Sequence, residues 1–293
     1  MKPSVSEKYR DLIVTMVKNS SQSAEVTEKN TFQPAKKANR PYIDRIIHEL
    51  MLPSSHIVGF KNIQELFRLC RQGKSCLLLM EHYSNFDLPA LVCLLEQNGE
   101  EGRAIAESII AVAGFKLNAE SALVRAFTEA YSRIVIYPSR TLDAITDPKV
   151  LEEERKKSNA INLSALRELI RQKNTGHMIL VFPAGTRYRP GVPETKRGLK
   201  EIDSYIKAFD YMVFIGSRGN LLRLCQNGDM KEDIPTEDTV ILNMSSVINC
   251  KEFRESSREE APQDADLKQF TVDRVMLELE KLHGELENMS IQA

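Results

Sequence analysis

The sequence has few cysteines, and their spacing argues against the structures that cysteines most often build. There are five in 293 residues, an odd number, and no two have C-x-x-C spacing. Neither a disulfide framework nor a zinc site is therefore indicated. We expect reduced thiols in a cytoplasmic protein, and no bound metal.

Long apolar runs are also missing. Apolar runs such as 109–113 and 178–183 fall far short of the roughly 20 residues that span a bilayer. The N-terminus has one short apolar patch interrupted by charge, so no signal peptide is expected. We therefore expect any association with a membrane to be peripheral.

Three catalytic or nucleotide-binding motifs do not occur. The sequence contains no G-x-S-x-G, which disfavours a serine hydrolase. It also contains neither G-x-x-x-x-G-K-[ST] nor G-x-G-x-x-G, which disfavours a nucleotide-binding enzyme.

Charge is balanced overall but unevenly distributed. Lys and Arg number 40 and Asp and Glu 41, yet residues 229–288 alone hold 16 acidic and 7 basic side chains. Residues 1–228 consequently carry a net charge of +8. A basic body favours anionic substrates or an anionic membrane surface, and no nucleic acid partner is expected.

Two regions differ in pattern. Residues 1–55 predict a helical N-terminal region, with helices near 9–18 and 42–51 joined by a polar, mobile linker over 20–40. Residues 56–293 predict an α/β domain that ends in an acidic helical tail. A hydrophobic content of 42% is ordinary for a globular chain.

Short apolar runs alternate with helical patterns from residue 59 onward. Strands are predicted at 76–80, 105–112, 134–137, 178–182, 212–217 and 240–244. Helices are predicted at 63–72, 88–97, 120–131, 148–172, 198–208 and 267–287. The alternation predicts an α/β fold with a mainly parallel, mixed sheet and helices on both faces.

Two loops that follow predicted strands carry the candidate chemistry. In the first, 81–87, Asp87 is spaced to orient His82, whose other nitrogen then acts as a general base. The alternative from spacing alone is a structural histidine that is satisfied by a helix-capping Asp. In the second, 182–190, Gly185 and Thr186 supply backbone freedom and donors. Two guanidiniums in this loop, Arg187 and Arg189, suit a phosphate. The basic residues that follow are expected to form a solvated face: Lys196, Arg197 and Lys200.

Together, His82-x₄-Asp87 and the later Phe182-Pro183-Ala184-Gly185-Thr186-Arg187 resemble the glycerolipid acyltransferase family, which carries H-x₄-D and FPEGTR-type motifs. Residues 137–190 are more similar to the soluble plastid-type glycerol-3-phosphate acyltransferases, through YPSR, EEERKKSN, SALREL and GTRYRP. The resemblance covers about residues 57–220. The chain departs from the common motif at Ala184, where most of the family has glutamate.

This resemblance implies an activity and a set of roles. His82 deprotonates a hydroxyl of glycerol-3-phosphate, which attacks the thioester of acyl-CoA or acyl-carrier protein, and Asp87 orients His82. No cofactor beyond the acyl donor is implied. The acceptor phosphate is held by Arg187, Arg189 and Arg140, with Gly185, Thr186 and Ser139 completing the site.

Other interpretations remain open from the sequence. The acceptor is expected to be glycerol-3-phosphate, because no membrane-inserted element is seen, but lysophosphatidate is the main alternative. A non-catalytic protein that binds lipid surfaces is a second. The apolar helix over 88–95 favours core packing over an acyl groove. Three histidines are predicted to lack a partner cluster: His48, His56 and His283.

Overall fold

The computed structural model describes residues 2–20, 25–115, 117, 122–225 and 230–289. Eleven strands occur in these ranges. They are β1 Phe32–Gln33, β2 His56–Val58, β3 Cys76–Met80, β4 Ile109–Gly114, β5 Arg133–Ile136, β6 Met178–Val181, β7 Tyr211–Arg218, β8 Leu222–Arg223, β9 Ile234–Pro235, β10 Ile241–Met244 and β11 Ile248–Asn249.

Nine of the strands form one mixed sheet. Its order is β1-β5-β4-β6-β3-β7-β10-β2, and β11 pairs with β7. The five central strands, from β5 to β7, are parallel. β1 is antiparallel to β5, β10 and β11 are antiparallel to β7, and β2 is parallel to β10. The predicted α/β fold with a mainly parallel, mixed sheet is confirmed.

Twelve α-helices connect and cover these strands in the described part of the chain. They are α1 Val5–Lys8, α2 Arg10–Asn19, α3 Arg40–Leu50, α4 Phe60–Arg71, α5 Asp87–Glu96, α6 Gly99–Ser108, α7 Ala122–Thr128, α8 Ser139–Asp143, α9 Pro148–Lys173, α10 Ile202–Ala208, α11 Cys250–Glu259 and α12 Leu267–Asn288. None of them is long and apolar enough to cross a membrane.

The central strands are buried on both faces, and successive side chains enter two different cores. Leu78 and Met80 of β3 face a core shared with α1 to α7. Leu77 and Leu79 face a second core shared with α9 to α12. This burial explains why these strands lack the polar alternation of a one-sided sheet.

The prediction of a strand over 105–112 is wrong in its first half. Helix α6 continues to Ser108, and β4 starts at Ile109. Gly102, Ile105 and Ala106 are buried at the i, i+3, i+4 spacing of a helix face. The apolar residues at 105 and 106 therefore belong to the helix and not to the strand.

The predicted linker contributes to the sheet. Phe32 and Gln33 form β1, which pairs antiparallel with β5, and Thr31 and Asn39 are almost completely buried. Residues 21–24 of the linker lie outside the described residues. The interpretation of 20–40 as a mobile linker is therefore wrong at residues 31–33, where the backbone is hydrogen-bonded at the sheet edge.

The acidic C-terminal helix is packed against the sheet and does not form a free tail. Four of its apolar residues, including Val272 and Leu279, are buried in the second core. A Cβ on Gly216 of β7 would lie 2.7 Å from Leu282 Cβ. Glycine at this position lets α12 approach the backbone of β7 closely.

Candidate active site

The two candidate loops leave the sheet side by side. β3 and β6 are parallel neighbours, and Leu79 lies opposite Val181 near their carboxyl ends. Loops 81–87 and 182–190 therefore begin at the same edge of the sheet, where parallel α/β sheets carry their sites. The topology brings the two sequence motifs together.

His82 and Asp87 form a hydrogen-bonded pair in the first loop. His82 Nδ1 lies 2.8 Å from Asp87 Oδ2, and Asp87 is buried. The same carboxylate accepts the backbone N–H groups of Tyr83 at 2.7 Å and Ser84 at 2.9 Å, and Ser84 Oγ at 3.1 Å. Four donors on one buried acceptor fix the conformation of this loop.

This arrangement determines the imidazole tautomer. Because Asp87 Oδ2 acts as an acceptor for two backbone N–H groups, His82 Nδ1 is the donor in their shared hydrogen bond. The lone pair of the ring then lies on Nε2. A histidine oriented in this way by a carboxylate is equipped to act as a general base.

The second loop holds the catalytic candidate from the other side. The His82 ring stacks on Phe182, with centroids 4.0 Å apart and planes inclined by 19°. The carbonyl of His82 accepts a hydrogen bond from the backbone N–H of Tyr188 at 2.7 Å. The ring and the backbone of His82 are thus both fixed by loop 182–190.

Gly185 turns the second loop in the left-handed region, at φ +62°. Its N–H donates to the Phe182 carbonyl at 2.9 Å. A Cβ at this position would also overlap Leu199 Cδ1. Backbone conformation and packing therefore both require glycine here, and Thr186 follows it half-buried.

The two arginines of this loop differ in environment. Arg187 Nη1 forms a 2.5 Å ion pair with Asp233 Oδ2, and the Asp233 side chain is fully buried. Arg189 is exposed, and its backbone N–H donates to Thr195 Oγ1 at 2.9 Å. No motif or spacing in the sequence predicts that Asp233 contacts this loop.

The residues assigned from YPSR lie beside the second loop. Arg140 is exposed, and its Nη1 donates to the carbonyl of Ala184 at 3.4 Å. Ser139 Oγ donates to Glu201 Oε1 at 2.7 Å. Arg140 therefore contacts the loop that contains Arg187 and Arg189, whereas the hydroxyl of Ser139 is engaged with a carboxylate.

An open cleft lies beside His82. It is called the His82 cleft below. Its lining comprises Met80, Glu81, His82, Tyr83, Pro183, Ala184, Tyr188, Thr195, Lys196, Met276, Leu279 and Glu280. Three of these residues belong to α12, so the helix predicted as a tail forms one wall of the candidate site.

A second carboxylate–imidazole pair lies next to the first. Glu81 Oε2 is 3.2 Å from His283 Nδ1 and accepts the backbone N–H of Ser217 at 2.9 Å. Tyr83 Oη donates to Glu81 Oε1 at 2.9 Å. The expectation that His283 has no partner cluster is wrong, because α12 docks it against the loop that contains His82.

This cluster shifts two pKa values. The hydrogen bond to the Glu81 carboxylate raises the pKa of His283 above its usual value. Burial raises the pKa of Tyr83, and the neighbouring Glu81 carboxylate raises it further. His283 Nδ1 also lies 2.8 Å from the carbonyl of Ser217, so this nitrogen carries a proton in either charge state of the ring.

The side chains at the site are those of acid–base and anion-binding chemistry. Within the described ranges, no cluster of three or more His, Cys, Asp and Glu residues has the arrangement of a metal site.

The helix over 88–95 packs in the first core, with Leu91, Leu94 and Leu95 buried. Core packing, as expected, accounts for its apolar character.

Comparisons with known proteins assign no family to the chain. No protein-family model matches it, and no curated protein matches it significantly. The likeness to glycerolipid acyltransferases therefore depends on the two motifs and on the sequence around them.

Proposed function

We propose that this protein is an O-acyltransferase that moves a fatty acyl group from acyl-CoA or acyl-carrier protein to a hydroxyl of glycerol-3-phosphate. One observation carries the proposal. His82, held by Asp87 at 2.8 Å, lines an open cleft at the carboxyl ends of β3 and β6. The resemblance of the two loops to acyltransferase motifs gives the reaction class.

The reaction needs no nucleophile from the protein. His82 Nε2 takes the proton from the acceptor hydroxyl as the oxygen attacks the thioester carbonyl. The tetrahedral intermediate then expels the thiolate, which receives the proton from the imidazolium. An ester and a free thiol result, and His82 returns to its starting state. Asp87 stabilises the imidazolium in between.

Glycerol-3-phosphate is proposed as the acceptor because its phosphate group matches the arginines near the site. Glycerol-3-phosphate has little apolar surface, so most of its binding free energy must come from charge-assisted hydrogen bonds. The second loop contains Arg187 and Arg189. Arg140 contacts the same loop through the carbonyl of Ala184. These three guanidiniums are the proposed phosphate ligands, and Arg187 would bind the phosphate while its Nη1 stays paired with Asp233.

A peripheral association with anionic membranes is part of the proposal. The net charge of +8 on residues 1–228 supports it, since basic side chains gain free energy close to an anionic leaflet. The ester product is an amphiphile, and a membrane surface is the natural place to release it.

The test is product identification. Purified protein is mixed with labelled palmitoyl-CoA and either glycerol-3-phosphate or lysophosphatidate, and the labelled lipids are separated. We expect labelled lysophosphatidate from the first mixture. Formation of phosphatidate from the second mixture alone makes the protein a lysophosphatidate acyltransferase. If acyl groups are transferred to neither acceptor, the proposed acyltransferase function is rejected. The remaining alternative is then a non-catalytic protein that binds lipid surfaces.

A further inference from the structure

Among the described residues, the lining of the His82 cleft contains one lysine and no arginine, so none of the three arginines considered so far is part of it. Lys196 ends the short 3₁₀ turn Pro193–Lys196 and lies in the cleft wall. Its Nζ is 4.8 Å from the centroid of the Tyr188 ring and 3.7 Å from Glu280 Oε1. The cation is therefore placed between an aromatic face and a carboxylate of α12.

The turn that presents Lys196 is fixed to the second loop. Thr195 Oγ1 accepts the backbone N–H of Arg189 and donates to the carbonyl of Val192. The aromatic face of Tyr188 attracts the ammonium group and limits its directions. Lys196 is thus presented to the cleft by a turn that is hydrogen-bonded to the loop that fixes His82.

The partner of Lys196 is exchangeable, in contrast to that of Arg187. Glu280 is 67% exposed and the lysine 39%, and their 3.7 Å separation is near the limit of an ion pair. Exposed pairs of this kind contribute little to stability. Arg187, by comparison, pairs with a carboxylate that is fully buried. A phosphate dianion entering the cleft competes easily for Lys196.

We propose that Lys196 binds the phosphate monoester of the acceptor in the His82 cleft, and that Glu280 holds this ammonium until the phosphate replaces it. The proposal rests on the proposed acyltransferase function and adds a phosphate ligand to it. A lysine binds phosphate as a compact point charge with three donors. Glu280, which stays at the rim, then opposes the bound dianion by charge repulsion.

These roles predict opposite effects for the two substitutions. Lys196→Gln is expected to raise KM for glycerol-3-phosphate about tenfold or more, the value of one charge-assisted hydrogen bond, with a smaller change in kcat. Glu280→Gln is expected to lower the same KM about two- to fivefold, the size of an exposed charge interaction. Lys196→Arg is expected to retain most of the affinity. Lys251→Gln is the matched control, because Lys251 is 81% exposed on α11.

Calorimetric titration with inorganic phosphate and with glycerol-3-phosphate, without acyl donor, separates this inference from the proposed function. One outcome is that the wild type binds phosphate, that Lys196→Gln weakens this binding, and that no acyl transfer occurs. In that case the Lys196 site is supported and the proposed acyltransferase function is rejected. If the wild type is active but Lys196→Gln changes neither phosphate affinity nor KM for glycerol-3-phosphate beyond twofold, the Lys196 site is rejected. A rise confined to KM for palmitoyl-CoA also rejects it, because the bound phosphate then belongs to the donor.

Discussion

Arg187 and Asp233 form a buried ion pair that joins the second candidate loop to a distant segment of the chain. Nη1 and Oδ2 are 2.5 Å apart, and Asp233 Oδ1 accepts the backbone N–H of Cys225 at 3.0 Å. The backbone carbonyl of Asp233 accepts the N–H of Val5 at 2.8 Å. The N-terminal helix α1 thereby stabilises the segment that fixes Arg187.

Substitution of Arg187 by Met tests this pair. It leaves the Asp233 carboxylate buried without its guanidinium, and loss of one partner from a buried pair costs about 3–5 kcal/mol of unfolding free energy. Urea denaturation measures the effect. Asp233→Leu added to Arg187→Met is expected to recover a large part of the loss. Additive losses in the double variant contradict the pairing.

Loss of the proposed base is expected to abolish acyl transfer without unfolding the protein. His82→Ala should reduce kcat by about 10²–10⁴-fold. Asp87→Asn should also be slow, because an amide does not stabilise the imidazolium. Circular dichroism checks the fold, and His177→Ala is the control, since His177 contacts Thr175 and lies at the other end of β6. Near wild-type turnover by His82→Ala rejects the mechanism.

Gly185→Ala separates backbone strain from packing at the second loop. A left-handed conformation costs a non-glycine residue about 1–2 kcal/mol, and the added Cβ also displaces Leu199. Gly176→Ala is the matched control, because Gly176 has φ +82° and no atom near the position of a Cβ. In thermal unfolding, Gly185→Ala should have a lower Tm than Gly176→Ala. Equal losses show that packing against Leu199 contributes nothing.

The His283–Glu81 pair predicts a pH-dependent contribution to stability. A group whose pKa is raised on folding stabilises the folded protein most at pH values below its pKa in the unfolded state. This stabilisation is lost as the pH rises through its pKa in the folded state. The hydrogen bond to Glu81 raises the pKa of His283 above its ordinary value, so the contribution of the pair declines as the pH rises through that raised pKa. The Tm difference between wild type and His283→Gln should therefore shrink from pH 6 to pH 9. The charged groups around the ring are Glu81 and Glu287, with Tyr83 Oη at 3.3 Å. A constant difference across this range contradicts the assignment.

Membrane association is expected to be peripheral and sensitive to salt. Flotation with liposomes that contain anionic lipid should recover the protein at low ionic strength, because each basic side chain near the surface gains about 1 kcal/mol. Recovery should fall as salt shortens the screening length. Neutral liposomes are the control. Equal recovery with neutral and anionic vesicles is the result that contradicts an electrostatic association.

The sequence predicted the elements whose signal is local. The buried strand 76–80 was predicted with its observed bounds, because an apolar run of only five residues between turn signals is too short for a typical helix and favours a buried strand. The prediction of a strand over 105–112 failed in its first half, because Ile105 and Ala106 have an apolar character that suits a helix as well as a strand. Only packing against the preceding helices showed that they belong to α6.

The same distinction applies to the site. His82 and Asp87 are five residues apart, so a single loop brings them together, and the sequence alone was enough to pair them. Glu81 and His283 are 202 residues apart, and Arg187 and Asp233 are 46 apart. No periodicity or motif spacing records such contacts. They depend on the docking of α12 against β7 and on the path of the chain after β7, which are decided by the packing of the whole core.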